Sequence, residues 1–191
     1  MQTSNITFVK SVADIAELPR DGKPHVAFVG RSNAGKSSLI NALAKSDVSR
    51  VSATPGRTRL VNLFDAGTWL LADLPGYGYA KASKKDRQQF ASLIYDYLAG
   101  SQDLRLAVVA LDARIGPTDL DLEMFELLRS GKIPFVIVAN KIDKLSKTEA
   151  RAAADRIASM AREPVIAHSA LTGQGRGELL EYIERELHKT P

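Results

Sequence analysis

Hydrophobic and polar positions along the chain follow two periods. Continuous apolar runs at 25–29, 106–111 and 135–139 read as strands covered on both faces, as in a parallel sheet. Between them the apolar residues recur at helical spacing. Leu39, Ile40, Ala42 and Leu43 define one helix, to about Ala44. Phe90, Leu93, Ile94, Tyr97 and Leu98 define a second, stopped by Gly100. A third runs from Asp119 to Arg129. Ser146 and Glu149 have capping-box spacing for a fourth, to about Ala161, and Leu179, Leu180 and Ile183 mark a fifth between 178 and 187. Residues 165–167 form a short strand. Residues 60–64 and 68–73 form two strands joined at Asp65-Ala66-Gly67, a hairpin. Strands alternating with helices imply three α/β/α layers around a mostly parallel sheet, the hairpin supplying an antiparallel edge strand. Residues 1–24, a strand and a short helix ending at Pro19, form an N-terminal extension packed on a main domain of 25–191. Residues 47–58 and 74–85 are loops.

Composition narrows the class. The 191 residues suit one domain. No apolar run approaches the roughly 20 residues that cross a bilayer, and the first residues carry no signal-peptide pattern. There are no cysteines, which removes thiolate chemistry and Cys-based zinc sites and fits a cytoplasmic setting. The net charge of +4 admits a solvated mixed surface or an anionic partner such as nucleic acid.

The chemistry concentrates in loops after strands, where ligands of such sheets sit. Gly30-Arg31-Ser32-Asn33-Ala34-Gly35-Lys36-Ser37 fits the pattern Gly, four residues, Gly-Lys-Ser between a strand and a helix. Its amides make an anion nest at a helix N-terminus. Lys36 reaches the β- and γ-phosphates, and the Ser37 hydroxyl ligates Mg²⁺. Asp73-Leu74-Pro75-Gly76 closes a strand: Asp73 holds Mg²⁺ through water, and the Gly76 amide meets the γ-phosphate. Asn140-Lys141-Ile142-Asp143 follows another strand. Its Asp143 carboxylate matches the two donors of guanine, and adenine would leave it unpaired, a discrimination of roughly 10⁴ or more. The Lys141 stem covers the base, and Asn140 ties the segment to the phosphate loop. Ser169-Ala170-Leu171, after the last strand, offers amides to the guanine 6-oxygen. Thr58, in Thr54-Pro55-Gly56-Arg57-Thr58-Arg59-Leu60, is the second Mg²⁺ ligand once a γ-phosphate is present. Thr54 is its rival, less well anchored to the next strand.

In order and spacing, GRSNAGKSSLINAL, TPGRTRLVNLF, DLPGYGYAK and NKIDKL resemble the EngB (YihA/YsxC) family of bacterial GTPases, among the translation-factor-related GTPases, over nearly the whole chain. The resemblance implies a P-loop GTPase domain and a cytoplasmic enzyme acting in assembly of the large ribosomal subunit, whose loss disturbs cell division and septation. It implies GTP contacts at Gly30 to Ser37, Gly56 to Leu60, Asp73 to Gly76, Asn140 to Asp143 and Ser169 to Leu171, with Mg²⁺ at Ser37 and Thr58.

Many GTPases carry Gln directly after the Asp-x-x-Gly glycine to orient water. Here Tyr77 stands there, so unaided hydrolysis should be slow and need a partner, a cation or both. In similar GTPases an Asn at the place of Asn33 helps to hold K⁺ against the phosphates. A loop-stabilising hydrogen bond is the other reading. Lys81, Lys84, Lys85, Arg87, Arg57 and Arg59 are either a solvated face or contacts to rRNA. Tyr77 and Tyr79 either stack on bases or pack inward. His25, His168 and His188 have no metal-ligand spacing and read as structural or surface residues. No lipid anchor is expected, since Met1-Gln2 offers no myristoylation site and residues 187–191 no prenylation cysteine, and a monomer is expected. A membrane-bound switch and a non-hydrolysing GTP-binding module are the rival readings.

Overall fold

The computed structural model describes residues 6–49, 60–78 and 83–189. Seven strands form one sheet in the order β1-β3-β4-β2-β5-β6-β7. They are β1 (Thr7–Val12), β2 (His25–Gly30), β3 (Val61–Asp65), β4 (Leu70–Asp73), β5 (Leu104–Asp112), β6 (Phe135–Asn140) and β7 (Val165–Ala167). β2, β4, β5, β6 and β7 pair in parallel. β3 runs against both its neighbours, β1 and β4. The antiparallel strand therefore lies one place in from the edge, because β1 adds outside it. A register shift between Phe8 and Lys10 interrupts pairing along β1 and blunts the open edge.

Five helices cover the sheet: α1 (Lys36–Ala44), α2 (Lys84–Gly100), α3 (Asp119–Ser130), α4 (Lys147–Ala161) and α5 (Arg176–Leu187). Leu39 and Leu43 of α1 and Leu179 and Ile183 of α5 pack on one face with Val26, Phe28 and Val108. Tyr97 of α2, Phe125 of α3 and Ile157 of α4 pack on the other with Ala27, Val109 and Ile137. Both faces of the central strands are thus buried, as their unbroken apolar runs require. Arg176 donates from Nε to Ala42 O (2.9 Å) and from Nη2 to Leu43 O (2.7 Å), so α5 caps the end of α1 and holds it under the loop that precedes it.

Helix starts follow local chemistry. Ser146 and Glu149 form the anticipated capping box. Thr118 and Asp121 form a second one, with Asp in the place usually held by Glu. α2 begins at Lys84, inside the segment assigned to a loop from its sequence. Ser83 caps it by accepting from the Asp86 amide (3.0 Å). Lys84 and Lys85 oppose the helix dipole in that first turn, which is why the sequence there does not read as a helix.

Candidate functional site

The carboxyl ends of β2, β4, β5, β6 and β7 carry the site. β2 runs into the loop 30–35, which turns into α1. Gly30 is required by close approach: a Cβ there would lie 2.6 Å from Ala110 O of β5. Gly35 has φ 91° and caps α1, and a Cβ there would lie 2.4 Å from Asn140 Nδ2. Lys36 and Ser37 follow in the first turn of α1. The Lys36 ammonium is paired with Asp73 at the end of β4, and both are buried. Ser49 Oγ also donates to Asp73 Oδ2 (3.4 Å). Asn41 of α1 holds Ser49 in place, accepting from its amide (2.7 Å) and donating to its carbonyl (2.8 Å).

The segment after Asp73 is laced to the phosphate loop. The Ser32 amide donates to Tyr77 O (2.9 Å), and the Tyr77 amide to Gly30 O (3.3 Å). Gly76 rests on Ser32, where a Cβ would come 3.1 Å from Ser32 Oγ. The Tyr77 hydroxyl donates to Asp121 Oδ1 (2.8 Å). Burial pushes this phenol well above its ordinary pKa, with the Asp121 charge adding to the rise. Of the two readings offered by sequence, Tyr77 takes inward packing rather than base stacking. Asp121 Oδ2 meanwhile accepts from the Thr118 amide and hydroxyl at 2.8 and 2.7 Å, so one carboxylate ties this segment to the start of α3.

At the end of β6, Asn140 Nδ2 donates to Gly35 O (3.1 Å) and Ala34 O (3.3 Å). This is the tie to the phosphate loop that the sequence anticipated. Lys141 has φ 65°, and its Nζ donates to Asn33 O (2.5 Å) and to Asp112 Oδ2 (3.0 Å). Arg114 forks onto the same Asp112 through Nε (2.9 Å) and Nη2 (2.6 Å). Burial raises the Asp112 carboxyl, but the hydrogen bonds from Arg114 and Lys141 outweigh it and bring the pKa to about 2. Asp143 lies in a single helical turn, Ile142–Lys144. Its Oδ1 accepts from Ser169 Oγ at 2.7 Å. That bond lowers its pKa, and Lys144 adds a smaller pull the same way.

A cleft of about 680 Å³ opens between these parts, lined by Gly35, Ser38, Lys141, Asp143, Ala170 and Leu171 among others. Its size suits a nucleoside. The structure thus brings together the anticipated Gly30–Ser37, Asp73–Gly76, Asn140–Asp143 and Ser169–Leu171. Leu60 lies just before β3 and is partly exposed. Thr54, Gly56, Arg57, Thr58, Arg59, Tyr79 and Lys81 lie outside the described residues. Asn33 is exposed with φ 69°. Sequence reasoning missed Asp112, Asp121, Ser49 and the buried role of His168. Asp112 had one signal, a carboxylate ending an apolar parallel strand.

Residues 25–141 match the model of a family described as 50S ribosome-binding GTPase. The chain is 42% identical over 191 residues to the probable GTP-binding protein EngB of Pelotomaculum thermopropionicum, covering 97% of this chain and 96% of that one. It is 40% identical over 184 residues to that of Thermotoga maritima, covering 94% of each. A crystal structure of a probable GTP-binding protein EngB shares the fold, with TM-score 0.71 and 24% identity over 87% of this chain and all of that one. Aquifex aeolicus Era bound to GDP and aluminium fluoride superposes with TM-score 0.75 at 26% identity, over 87% of this chain and 57% of that one. A sheet of this topology, a phosphate loop tied to a carboxylate-lined cleft, and relatives of this closeness lead to one statement: the chain belongs to the EngB family of GTP-binding proteins and is a GTPase.

Proposed function

We propose that this GTPase is a GTP-gated factor in assembly of the large ribosomal subunit, needed for normal cell division and septation, and that it works in the cytoplasm as a monomer. In this reading 25–191 is the GTP-binding domain and 1–24 an extension of it. The observation that carries the nucleotide part is the Asn140 amide, which bonds the phosphate loop from the strand end that leads to Asp143. One rigid unit then holds the phosphates at one end and guanine at the other. The ribosomal part is supported by the description of the matching family. A further Era structure of 26% identity is a complex with MgGDPNP and nucleotides of 16S ribosomal RNA.

The residues present suit Mg²⁺. The Ser37 hydroxyl and the buried Asp73 carboxylate are hard oxygen donors, and Thr58 is the proposed second protein ligand. Among the described residues no three His, Cys, Asp or Glu side chains gather, so phosphate and water oxygens would complete the shell. When bound, the ion neutralises charge developing on the β- and γ-phosphate oxygens. Lys36 exchanges Asp73 for those phosphates, and the Gly76 amide holds the γ-phosphate. Tyr77, fixed on Asp121, supplies no group to orient water. Turnover is therefore proposed to depend on K⁺ held with Asn33, or on the ribosomal partner. Comparing turnover in K⁺ and Na⁺ buffers, with Asn33→Ala alongside, tests the cation; equal rates remove it. Lys84, Lys85 and Arg87 are exposed on the first turn of α2, Arg87 lining a pocket with Gly76, and are proposed to touch rRNA phosphates, with affinity falling steeply with salt. Sedimenting cell extract with GTP or GDP tests the whole reading. GTP-dependent association with large subunits supports it; membrane or septal pelleting overturns it.

A further inference from the structure

We propose that His168 is a positioning residue of the guanine site: its ring holds the Asn140 amide in the orientation that clamps the phosphate loop. The inference rests on the nucleotide site proposed above. His168 directly follows β7 and is fully buried. Its Nδ1 lies 3.0 Å from Asn140 Oδ1. Its amide donates to Ala139 O (2.9 Å), and its carbonyl accepts from the Ile142 amide (3.3 Å), so its backbone joins the two base-binding loops as well.

Three contacts fix which way the Asn140 amide points. Nδ2 faces two carbonyl oxygens, Ala34 O and Gly35 O, and can only donate to them. Oδ1 accepts from the Lys141 amide at 2.9 Å. The histidine nitrogen at Oδ1 must therefore be a donor. The ring is the Nδ1–H tautomer, and its Nε2 lone pair is left bare. Nε2 is buried without a partner. A buried acceptor without a partner is a cost that an apolar side chain would avoid, so the ring is kept for what its other nitrogen does. A flipped Asn140 amide would turn its oxygen toward two carbonyls and push the phosphate loop away from the base loops.

The test uses the full-length protein. His168→Asn keeps an N–H at the place of Nδ1, and His168→Leu removes it. Binding of fluorescent GDP and steady-state GTP turnover are measured for both. His168→Leu should weaken GDP about tenfold and raise KM with little change in kcat, as the loss of one buried hydrogen bond predicts. His168→Asn should recover affinity to within about threefold of wild type, because it replaces the lost donor. Leu binding as tightly as wild type, or Asn no better than Leu, overturns the inference. Ring ¹⁵N NMR of the wild-type protein decides it even where His168→Leu does not fold: an Nδ1–H tautomer supports the proposal and an Nε2–H tautomer overturns it. Failure of the underlying site would be seen separately, as wild-type protein binding ATP as tightly as GTP.

Discussion

Asp112 and Lys141 form an ion pair of 3.0 Å between the carboxyl ends of β5 and β6. The Lys141 ammonium continues to Asn33 O in the phosphate loop. Asp112 thus steadies a lysine whose stem is expected to lie over the base. The pair is mixed in exposure, with 7% of the Asp112 side chain and 29% of the Lys141 side chain accessible. Its worth falls between that of surface and buried pairs. Asp112→Asn should cost about 1–2 kcal/mol and weaken GDP binding about three- to tenfold, read by urea unfolding and nucleotide titration. The folded pKa of about 2 lies below the unfolded carboxyl value, so this stability is present above roughly pH 4 and is lost as pH falls toward 2. Asp112→Asn should flatten the stability curve in that acid window.

Asp143 is fixed by Ser169 Oγ at 2.7 Å, on the cleft wall. Asp143→Asn removes the charge and exchanges one acceptor oxygen for an NH₂ donor. GTP affinity should fall on the order of 10²-fold, since two charge-assisted hydrogen bonds weaken. The preference for GTP over ATP should collapse with it. Ser169→Ala should show a smaller loss of the same kind. Competition of GTP and ATP against a fluorescent guanine nucleotide measures both, and an unchanged preference in Asp143→Asn would falsify the guanine assignment.

Gly35 is the tightest point between the phosphate and base loops. An alanine Cβ would meet Asn140 Nδ2 at 2.4 Å in a left-handed backbone with φ 91°. Either the loop or Asn140 must move. Gly35→Ala should lose at least 1–2 kcal/mol of stability and most nucleotide binding. Calorimetric melting with and without GDP reads the two effects separately.

The parts of this site that sequence revealed are contiguous. Gly30 to Ser37 announces itself because glycine, lysine and serine positions are fixed within one strand–loop–helix unit. Asn140 and Asp143 are legible because an apolar run delivers them to a strand end. The missed residues act across the sheet. Ser49 reaches Asp73 from 24 residues away, and Asp112 reaches Lys141 from 29; no local pattern records either contact. His168 has no sequence signature, since its role depends on β6 and β7 lying side by side in register. The position of β3 inside the edge was hidden for the same reason: a hairpin reveals its own pairing, not what adds outside it.

Tyr77 stands where other GTPases place a water-orienting glutamine, and its hydroxyl is spent on Asp121 at 2.8 Å. Tyr77→Phe should therefore hydrolyse GTP at close to the wild-type rate while losing about 1 kcal/mol of stability, one buried hydrogen bond with Asp121 left partly compensated by Thr118. Single-turnover hydrolysis and urea unfolding check the two halves. A large fall in rate with an intact fold would place the hydroxyl at the phosphate.

His168 gives the protein a sensitivity to mild acid. Burial lowers its pKa from the ordinary 6.5 to about 4, and the Asp143 charge opposes the fall only in part. In the unfolded chain the ring protonates near 6.5, so between these values the unfolded state binds the extra proton. The stability is complete above pH 6.5 and is lost as pH falls through 4. For a group with no exposed surface the loss is about 3 kcal/mol across the window. His25 is shifted the same way, chiefly by burial, so the whole-protein slope should exceed that of His168 alone. Urea unfolding at pH steps from 7 to 4 should show wild type losing about 3 kcal/mol more than His168→Asn. Parallel curves for the two proteins would mean that the ring titrates in the folded state at its unfolded value, so that burial does not hold it neutral; wild type gaining on the variant as pH falls would mean that the folded ring is a cation.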